Sequence, residues 1–318
     1  MEYTAVIRTL GKAGEKYQKL LDSLVSQTVK PKQIIVYIAE GYPIPKESVG
    51  IERYVYVKKG MVAQRALPYD EVDTDYILFL DDDVFLPDNA VDTLYNEMTD
   101  SDADVISPDV FPNAERSKMS ALLMAVSGRM RARNDDGKWA YKVMRTGGYS
   151  YNAHPESHVY LSQTNAGPCF FCKKLTFLSI HFEDEKWMDK LTYAMGEDQI
   201  MYYKMYLRGY RVLTSFDTGI KHLDAGTTLK DANKDKTRIF CDTYFKTVFW
   251  HRFLWSVDNA WGKLLDSIAI AYYLLFTICI SALKLQRDVL SVKYKAIKDS
   301  FRFLKSDEYK RIPKVKRV

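Results

Sequence analysis

The sequence predicts an α/β protein: a mostly parallel central sheet flanked by helices, followed by a C-terminal helical, membrane-associating extension. Three observations carry this expectation. Short β-rich runs alternate with helical patterns over residues 1–110, the signature of a parallel sheet with helices on its faces. A buried-strand pattern, YILFL at 76–80, runs straight into Asp81-Asp82-Asp83. An uncharged stretch of 17 residues, 267–283, stands directly before a basic tail.

The elements follow in order. Tyr3–Arg8 reads as a strand, and Glu15–Gln27 as a helix with Tyr17, Leu20, Leu21, Leu24 and Val25 at helical spacing. Gln33–Ala39 and Tyr54–Val57 are the next strands, and Met61–Leu67 reads as a short helix. Tyr76–Leu80 is a buried strand, Asn89–Met98 a helix, and Asp104–Ser107 opens another strand. Glu115–Arg133 reads as one helix, and Asp135–Asn152 as a polar, Gly-bearing loop of the sort that covers a site. Gly167–Cys172 is strand-like. Glu197–Arg208 is helical and ends at Gly209, as a glycine just past a helix should. Tyr210–Leu213 and Thr218–His222 are strand-like, Thr227–Lys236 is a charged connection, and Tyr244–Trp255 is an aromatic helix. The apolar run then leads into an amphipathic helix with Tyr294, Ile297, Phe301 and Leu304 on one side. These parts divide as 1–110, 111–226 and 227–318, the last being the helical region.

Composition bounds the class. The 318 residues carry 46 Lys+Arg and 41 Asp+Glu, and 47% are apolar, which excludes a disordered, collagenous or disulfide-scaffold chain. The net charge of +5 hides an asymmetry. Residues 284–318 hold 12 Lys/Arg and 4 Asp/Glu, a net of +8, so the preceding 283 residues have a net of −3. An apolar run abutting a basic tail favours an anionic membrane surface over nucleic acid, since no aromatic stacking platforms are interleaved with the charges. The N-terminal MEYTAVIRTL lacks the layout of a signal peptide, so a reducing, cytoplasmic setting is expected. A simple span would place the body and the basic tail on opposite sides of the bilayer. An in-plane or re-entrant helix, aided by Trp250, Trp255 and Trp261, keeps both on one side. The expected location is therefore peripheral or monotopic on the inner face of the cell membrane.

Four features can carry chemistry. In open α/β sheets ligands bind beyond the carboxyl ends of the strands, and there the sequence places three consecutive carboxylates. Alternation along an extended chain puts Asp81 and Asp83 on one face. Hard oxygen ligands suit Mg²⁺ or Mn²⁺ held together with a diphosphate. Glu197 and Asp198 open a helix, where the dipole also favours them for purely structural reasons. His222, ending a strand-like TGIKH, would complete an otherwise all-oxygen Mn²⁺ site. Lys58, Lys59, Gln64 and Arg65 precede the acidic strand and could neutralise phosphates. Cys169 and Cys172 lack the second pair a zinc site needs and are expected to be buried, inert thiols.

The order of these parts resembles the inverting family-2 glycosyltransferases with the GT-A fold. The residues that carry the likeness are a first strand ending at Arg8-Thr9, LDSLVSQTVKPKQIIVYIA, AQRA at 63–66, LDDDVFLPDNAV, NAGPCFFCKK and GEDQIMYYKMYLRGYRV, together spanning roughly 1–225. The resemblance implies that 1–110 is the nucleotide-sugar-binding half and 111–226 the acceptor-binding half, and that the acidic triplet is a DxD-type motif, with Asp83, Asp81 and His222 at the metal. It implies that Asp198 is the general base and that Glu197 supports the acceptor side. Thr9, Glu40, Arg65, Asp81 and Asp82 are the nucleotide contacts it implies. The first strand ends in Arg-Thr-Leu and the second in Ala39-Glu40-Gly41, both unlike the commoner family endings, and no Q-x-x-R-W motif follows the acidic helix start.

The function these features imply is a metal-dependent transfer of a sugar from a UDP- or GDP-sugar to a hydroxyl of a saccharide or lipid-linked acceptor, in cell-surface polysaccharide or glycolipid synthesis. The departing diphosphate needs a cation and the incoming hydroxyl a base. The alternatives are a polyprenyl-phosphate glycosyltransferase, whose anionic acceptor needs less base catalysis, and a catalytically dead membrane-tethered scaffold. A sugar-nucleotide pyrophosphorylase would need a glycine-rich loop after the first strand, for which Gly11-Lys12-Ala13-Gly14 is a poor substitute.

Overall fold

The computed structural model describes residues 1–110, 117–193, 195–223 and 232–318. The chain opens β1 (Tyr3–Thr9), α1 (Glu15–Val25), β2 (Gln33–Ala39), β3 (Glu52–Val57) and β4 (Tyr76–Asp81). β5 (Val84–Phe85), α2 (Ala90–Asp100) and β6 (Val105–Pro108) follow. The middle of the chain supplies α3 (Lys118–Val126), β7 (Met130–Arg133), β8 (Trp139–Val143), β9 (Tyr149–Asn152), β10 (Val159–Ser162), β11 (Cys169–Lys173) and α4 (Lys174–Ser179). A 3₁₀ segment (Phe182–Lys190), α5 (Glu197–Leu207), β12 (Val212–Ser215) and β13 (Lys221–His222) come next. The last part is helical: α6 (Ala232–Phe249), a π-helical stretch (Trp250–Trp255), α7 (Ala260–Leu283), α8 (Arg287–Lys305) and α9 (Asp307–Arg311).

Among the described residues eleven strands form one sheet in the order β3-β2-β1-β4-β11-β6-β12-β10-β8-β9-β7, and β13 pairs with β5 beside it. Six of the ten pairings in the large sheet are parallel, so the expected α/β architecture with a mostly parallel sheet is present. β1, β2, β3 and β4 all run the same way, with Arg8 opposite Asp81 and Thr9 opposite Ile38. Parallel strands buried on both faces read as continuous apolar runs, and β2 is buried from Ile34 to Ala39.

Helices cover the two faces unequally. α1 lays Tyr17, Leu20, Leu21 and Leu24 on one face together with Leu78, Leu80 and Val36, each such side chain contributing about 1.5–3 kcal/mol of burial. The other face carries an aromatic cluster around Phe79, Phe170 and Phe177, with Phe79 and Phe170 stacked at 4.3 Å. That same core continues into the helical region through Phe245, Phe249, Phe253 and Ile270, so the last helices share the interior of the sheet layer. A buried ion cluster ties the two together: Glu185 accepts from Arg252 at 2.8 Å and from Lys204 at 2.9 Å. Breaking such a pair by removing one partner leaves an uncompensated buried charge.

Three segments differ from expectation. Residues 61–65 form a run of turns rather than a helix. The Asp189 carboxylate accepts the Val62 and Ala63 amides at 2.9 Å each, and Pro68 stops any helical continuation. The region expected to be one helix to Arg133 breaks after Val126, where Gly128 at φ +71° closes the helix end and β7 begins. The expected loop at 135–152 instead supplies β8 and β9, whose mixed polar and apolar faces suit strands at a partly exposed sheet edge. The start of that same expected helix, and residues 227–231 of the expected connection, lie outside the described residues. From Ala232 the chain is already helical.

Candidate active site

The parallel register delivers the ends of β1 and β4 side by side, and two further segments close over them. Arg8 Nε donates to Asp81 at 2.5 Å, and its Nη1 lies 3.0 Å from Glu197 at the start of α5. Arg65, on the turn capped by Asp189, donates to both Glu197 oxygens at 2.8 and 3.1 Å and to the Gly167 carbonyl at 2.8 Å. A further approach of 3.5 Å links Arg65 to Asp81. The result is a cluster of two guanidinium groups and two carboxylates, with Arg65 and Glu197 buried.

Backbone features fix this arrangement. Gly196 stands before α5 at φ +79°, and a Cβ there would lie 2.3 Å from the Phe245 ring. A Cβ on Gly167 would meet Arg65 at 2.8 Å and the Asp198 Cβ at 3.0 Å, so the approach of that loop depends on glycine. Within α5, Tyr202 shares a 2.5 Å hydrogen bond with Ser107 on β6 and donates to the Ala166 carbonyl at 3.2 Å. Gln199 donates to the Gly147 carbonyl at 3.0 Å.

The carboxylates are not equivalent. Burial alone would raise Asp81, but the Arg8 and Arg65 guanidiniums hold it below the usual carboxylate range. Burial would likewise weaken the charge of Arg8, and Asp81 and Glu197 reverse this, fixing it as a cation. Asp198 is pushed up to about 6, by burial first and the adjacent Glu197 charge second, against the Gln199 amide and the two arginines. Asp82 is also raised to about 6, by burial and then by Asp81 and Asp83, although Thr9 donates to it at 2.5 Å. Asp83 is buried and lies 3.1 Å from His222 Nε2, across the β5–β13 pair where His222 stands opposite Val84.

The structure thus brings together Thr9, Arg65, Asp81, Asp82, Asp83, Glu197, Asp198 and His222 around the carboxyl ends of β1 and β4. Glu40 sits just past β2 at the same end of the sheet, exposed, with its amide donating to the Val57 carbonyl at 2.8 Å. Lys59 lies apart, donating to the Tyr42 hydroxyl at 2.7 Å. Cys169 and Cys172 are buried, and burial raises both thiols above their ordinary range. Among the described residues no group of three or more His, Cys, Asp or Glu side chains is arranged to hold a metal ion. Of the expected set of Asp81, Asp83 and His222, Asp81 is engaged by Arg8 and Arg65. Asp83 and His222 remain as an adjacent oxygen–nitrogen pair, which suits Mn²⁺ if diphosphate and water complete the shell.

Sequence reasoning did not assign Arg8, Gly167 or Asp189 to the site. Arg8 was findable: it ends the strand that pairs in register with the acidic one, and a buried triplet of carboxylates requires a counter-charge.

The strand-end Asp81 and the acidic start of α5 thus share the Arg8 and Arg65 guanidiniums. Comparison with known proteins narrows the class. Residues 3–101, just under a third of the chain, match the model of the Glycosyl transferase family 64 domain, which supports transferase activity of the glycosyltransferase kind. The matched stretch contains β1 to β4 and the acidic triplet. Among solved structures, the chain is similar to the crystal structure of GalNAc-T7 with UDP, GalNAc and Mn2+, at 13% identity and a TM-score of 0.49 over 78% of this chain. The chain spans 50% of the length of that solved chain. No curated protein matches.

Proposed function

We propose that this protein transfers a sugar from a nucleoside-diphosphate sugar to a hydroxyl of a saccharide or lipid-linked acceptor, by a single inverting displacement at the inner membrane face. UDP- or GDP-sugars are the donors and cell-surface polysaccharide or glycolipid the products in this reading. The observation that carries it is the division of labour between neighbouring carboxylates on α5. Glu197 is neutralised by Arg8 and Arg65 at 2.8–3.1 Å, whereas among the described residues Asp198 has no guanidinium within ion-pair distance and rests near 6. A carboxylate in that range is ionised at neutral pH yet basic enough to take a hydroxyl proton in the transition state.

Each group has a place in the chemistry. Asp83 and His222 would hold a divalent cation, which when bound supplies Lewis-acid stabilisation to the departing diphosphate. Arg8 and Arg65 keep Asp81 charged, pair with Glu197 and so position the start of α5, with Asp198 toward the acceptor in one orientation. The Gly167 loop excludes bulk on the other side of Asp198.

Calorimetric titration with UDP and GDP, with and without Mn²⁺, tests the reading. Nucleotide binding that requires Mn²⁺ and is lost in Asp83→Ala is expected. Absence of any nucleotide binding with the metal present would overturn it.

A further inference from the structure

Away from the acidic strand ends, a cavity of about 360 Å³ lies between α6, α7 and α8. Its walls carry Arg129, Arg238, Lys284 and Lys293 against a single carboxylate, Asp242. That is a net of three positive charges in a space of ligand size. Arg129 pairs with Asp242 at 2.7 Å. Lys293 is held by the Thr277 hydroxyl at 2.7 Å and the Ser281 hydroxyl at 2.9 Å, both neutral. Among the described residues, neither Arg238 nor Lys284 has a carboxylate within ion-pair distance. Lys293 is shifted down by burial first and by the Arg129 charge next, with Asp242 offsetting only part of this.

The helix that walls this cavity keeps most of its small and polar residues inward. α7 buries Gly262, Asp266, Ile270, Tyr273, Thr277 and Ser281 against the protein. Its outer face exposes Trp261 (68%), Leu264, Ile268, Tyr272, Leu275 (63%) and Leu283 (79%) at helical spacing. An apolar stripe about 33 Å long, at 1.5 Å per residue, therefore faces outward. Among the described residues α7 is the one helix long and apolar enough to cross a membrane. Its polar inner face is packed on protein, so only one side of it can meet lipid, which fits a helix lying in the interface plane. Met119, Leu122 and Val126 of α3 widen the stripe, and Tyr272 donates to the Val126 carbonyl at 2.6 Å.

We propose that the cavity binds the phosphate headgroup of an anionic lipid whose hydrocarbon chains lie along the outer stripe of α7. The charge complementarity and the continuity are both local: Lys284, on the cavity wall, directly follows the exposed Leu283 of the outer stripe. Met195, on the cavity wall, directly precedes Gly196 and Glu197, so an occupant there adjoins the start of α5. The inference rests on the membrane-surface part of the proposed function and not on its transfer chemistry.

Flotation with phosphatidylcholine vesicles containing or lacking phosphatidylglycerol tests it, on the full chain in metal-free buffer so that nucleotide binding plays no part. Binding is expected to require phosphatidylglycerol and to weaken about tenfold or more in Arg238→Gln/Lys284→Gln. The control, Lys314→Gln/Lys316→Gln, removes equal charge from the tail end and should change binding less than threefold or so. Equal weakening in both variants would show diffuse surface attraction and overturn the cavity assignment. Calorimetry with inorganic diphosphate distinguishes the source: saturable diphosphate binding without any vesicle binding would overturn the lipid as occupant. Thermal unfolding of both variants verifies that the fold is kept.

Discussion

Replacing Asp198 by Asn should make the protein more stable and inactive. The carboxyl moves from its ordinary 3.8 to about 6 on folding, chiefly through burial beside Glu197. A raised carboxylate pKa is a cost: it is absent below about pH 4, grows as the pH rises, and is complete above about pH 6. At about 1.36 kcal/mol per pH unit, the difference amounts to about 3 kcal/mol at pH 7.5. An Asn side chain removes that cost and can still accept from the Gln199 amide, which meets Asp198 at 2.8 Å. With about 2.1 cal/mol/K of unfolding entropy per residue, a gain of about 3 kcal/mol raises Tm by about 4–5 °C. At pH 5 the gain should fall to about half, because the native Asp198 is then largely protonated. Differential scanning calorimetry of both proteins at the two pH values is the assay. A variant that is destabilised, or whose gain does not shrink with acid, would refute the reasoning.

Three further outcomes follow from the same cluster. Glu197→Gln removes the charge that raises Asp198 and leaves Arg8 and Arg65 underpaired; stability should fall by about 3 kcal/mol and the acid limb of the pH–rate profile should move lower, as read by denaturant unfolding and steady-state kinetics. Gly167→Ala places a methyl 2.8 Å from Arg65, so it should cost about 1–3 kcal/mol and lower kcat more than the donor KM. His222→Ala leaves Asp83 without its 3.1 Å neighbour and should raise the Mn²⁺ concentration for half-maximal activity by about tenfold or more, measured by metal titration of the transfer reaction.

The sheet and the acidic strand end were legible because their signals are local. A continuous apolar run bounded by Asp81-Asp82-Asp83 has few foldings other than a central strand with its carboxylates at the rim. The start of α5 was legible too, since Gly196 followed by Glu197 and Asp198 is a helix-opening pattern. What escaped was non-local. Arg8 gains its meaning only from the strand register that puts it opposite Asp81, and Asp189 acts on amides at 62 and 63 from far along the chain. β8 and β9 escaped because they are short, half-buried strands whose polar residues interrupt any apolar run, so strand propensity alone does not mark them. The apolar run at 267–283 was plain in the sequence, but its packing was not: composition alone could not say that Asp266, Thr277 and Ser281 face inward while Leu275 and Leu283 face out.

The central claim is that Asp198 is the base in a sugar transfer. It is tested most directly by measuring nucleoside diphosphate release from a nucleotide sugar, with acceptor and Mn²⁺, from pH 5 to 8. The account predicts an acid limb near pH 6 for the wild type and a loss of about 10²–10⁴-fold in Asp198→Asn with donor binding intact. Full turnover by Asp198→Asn, or a rate that ignores pH across that range, would contradict it.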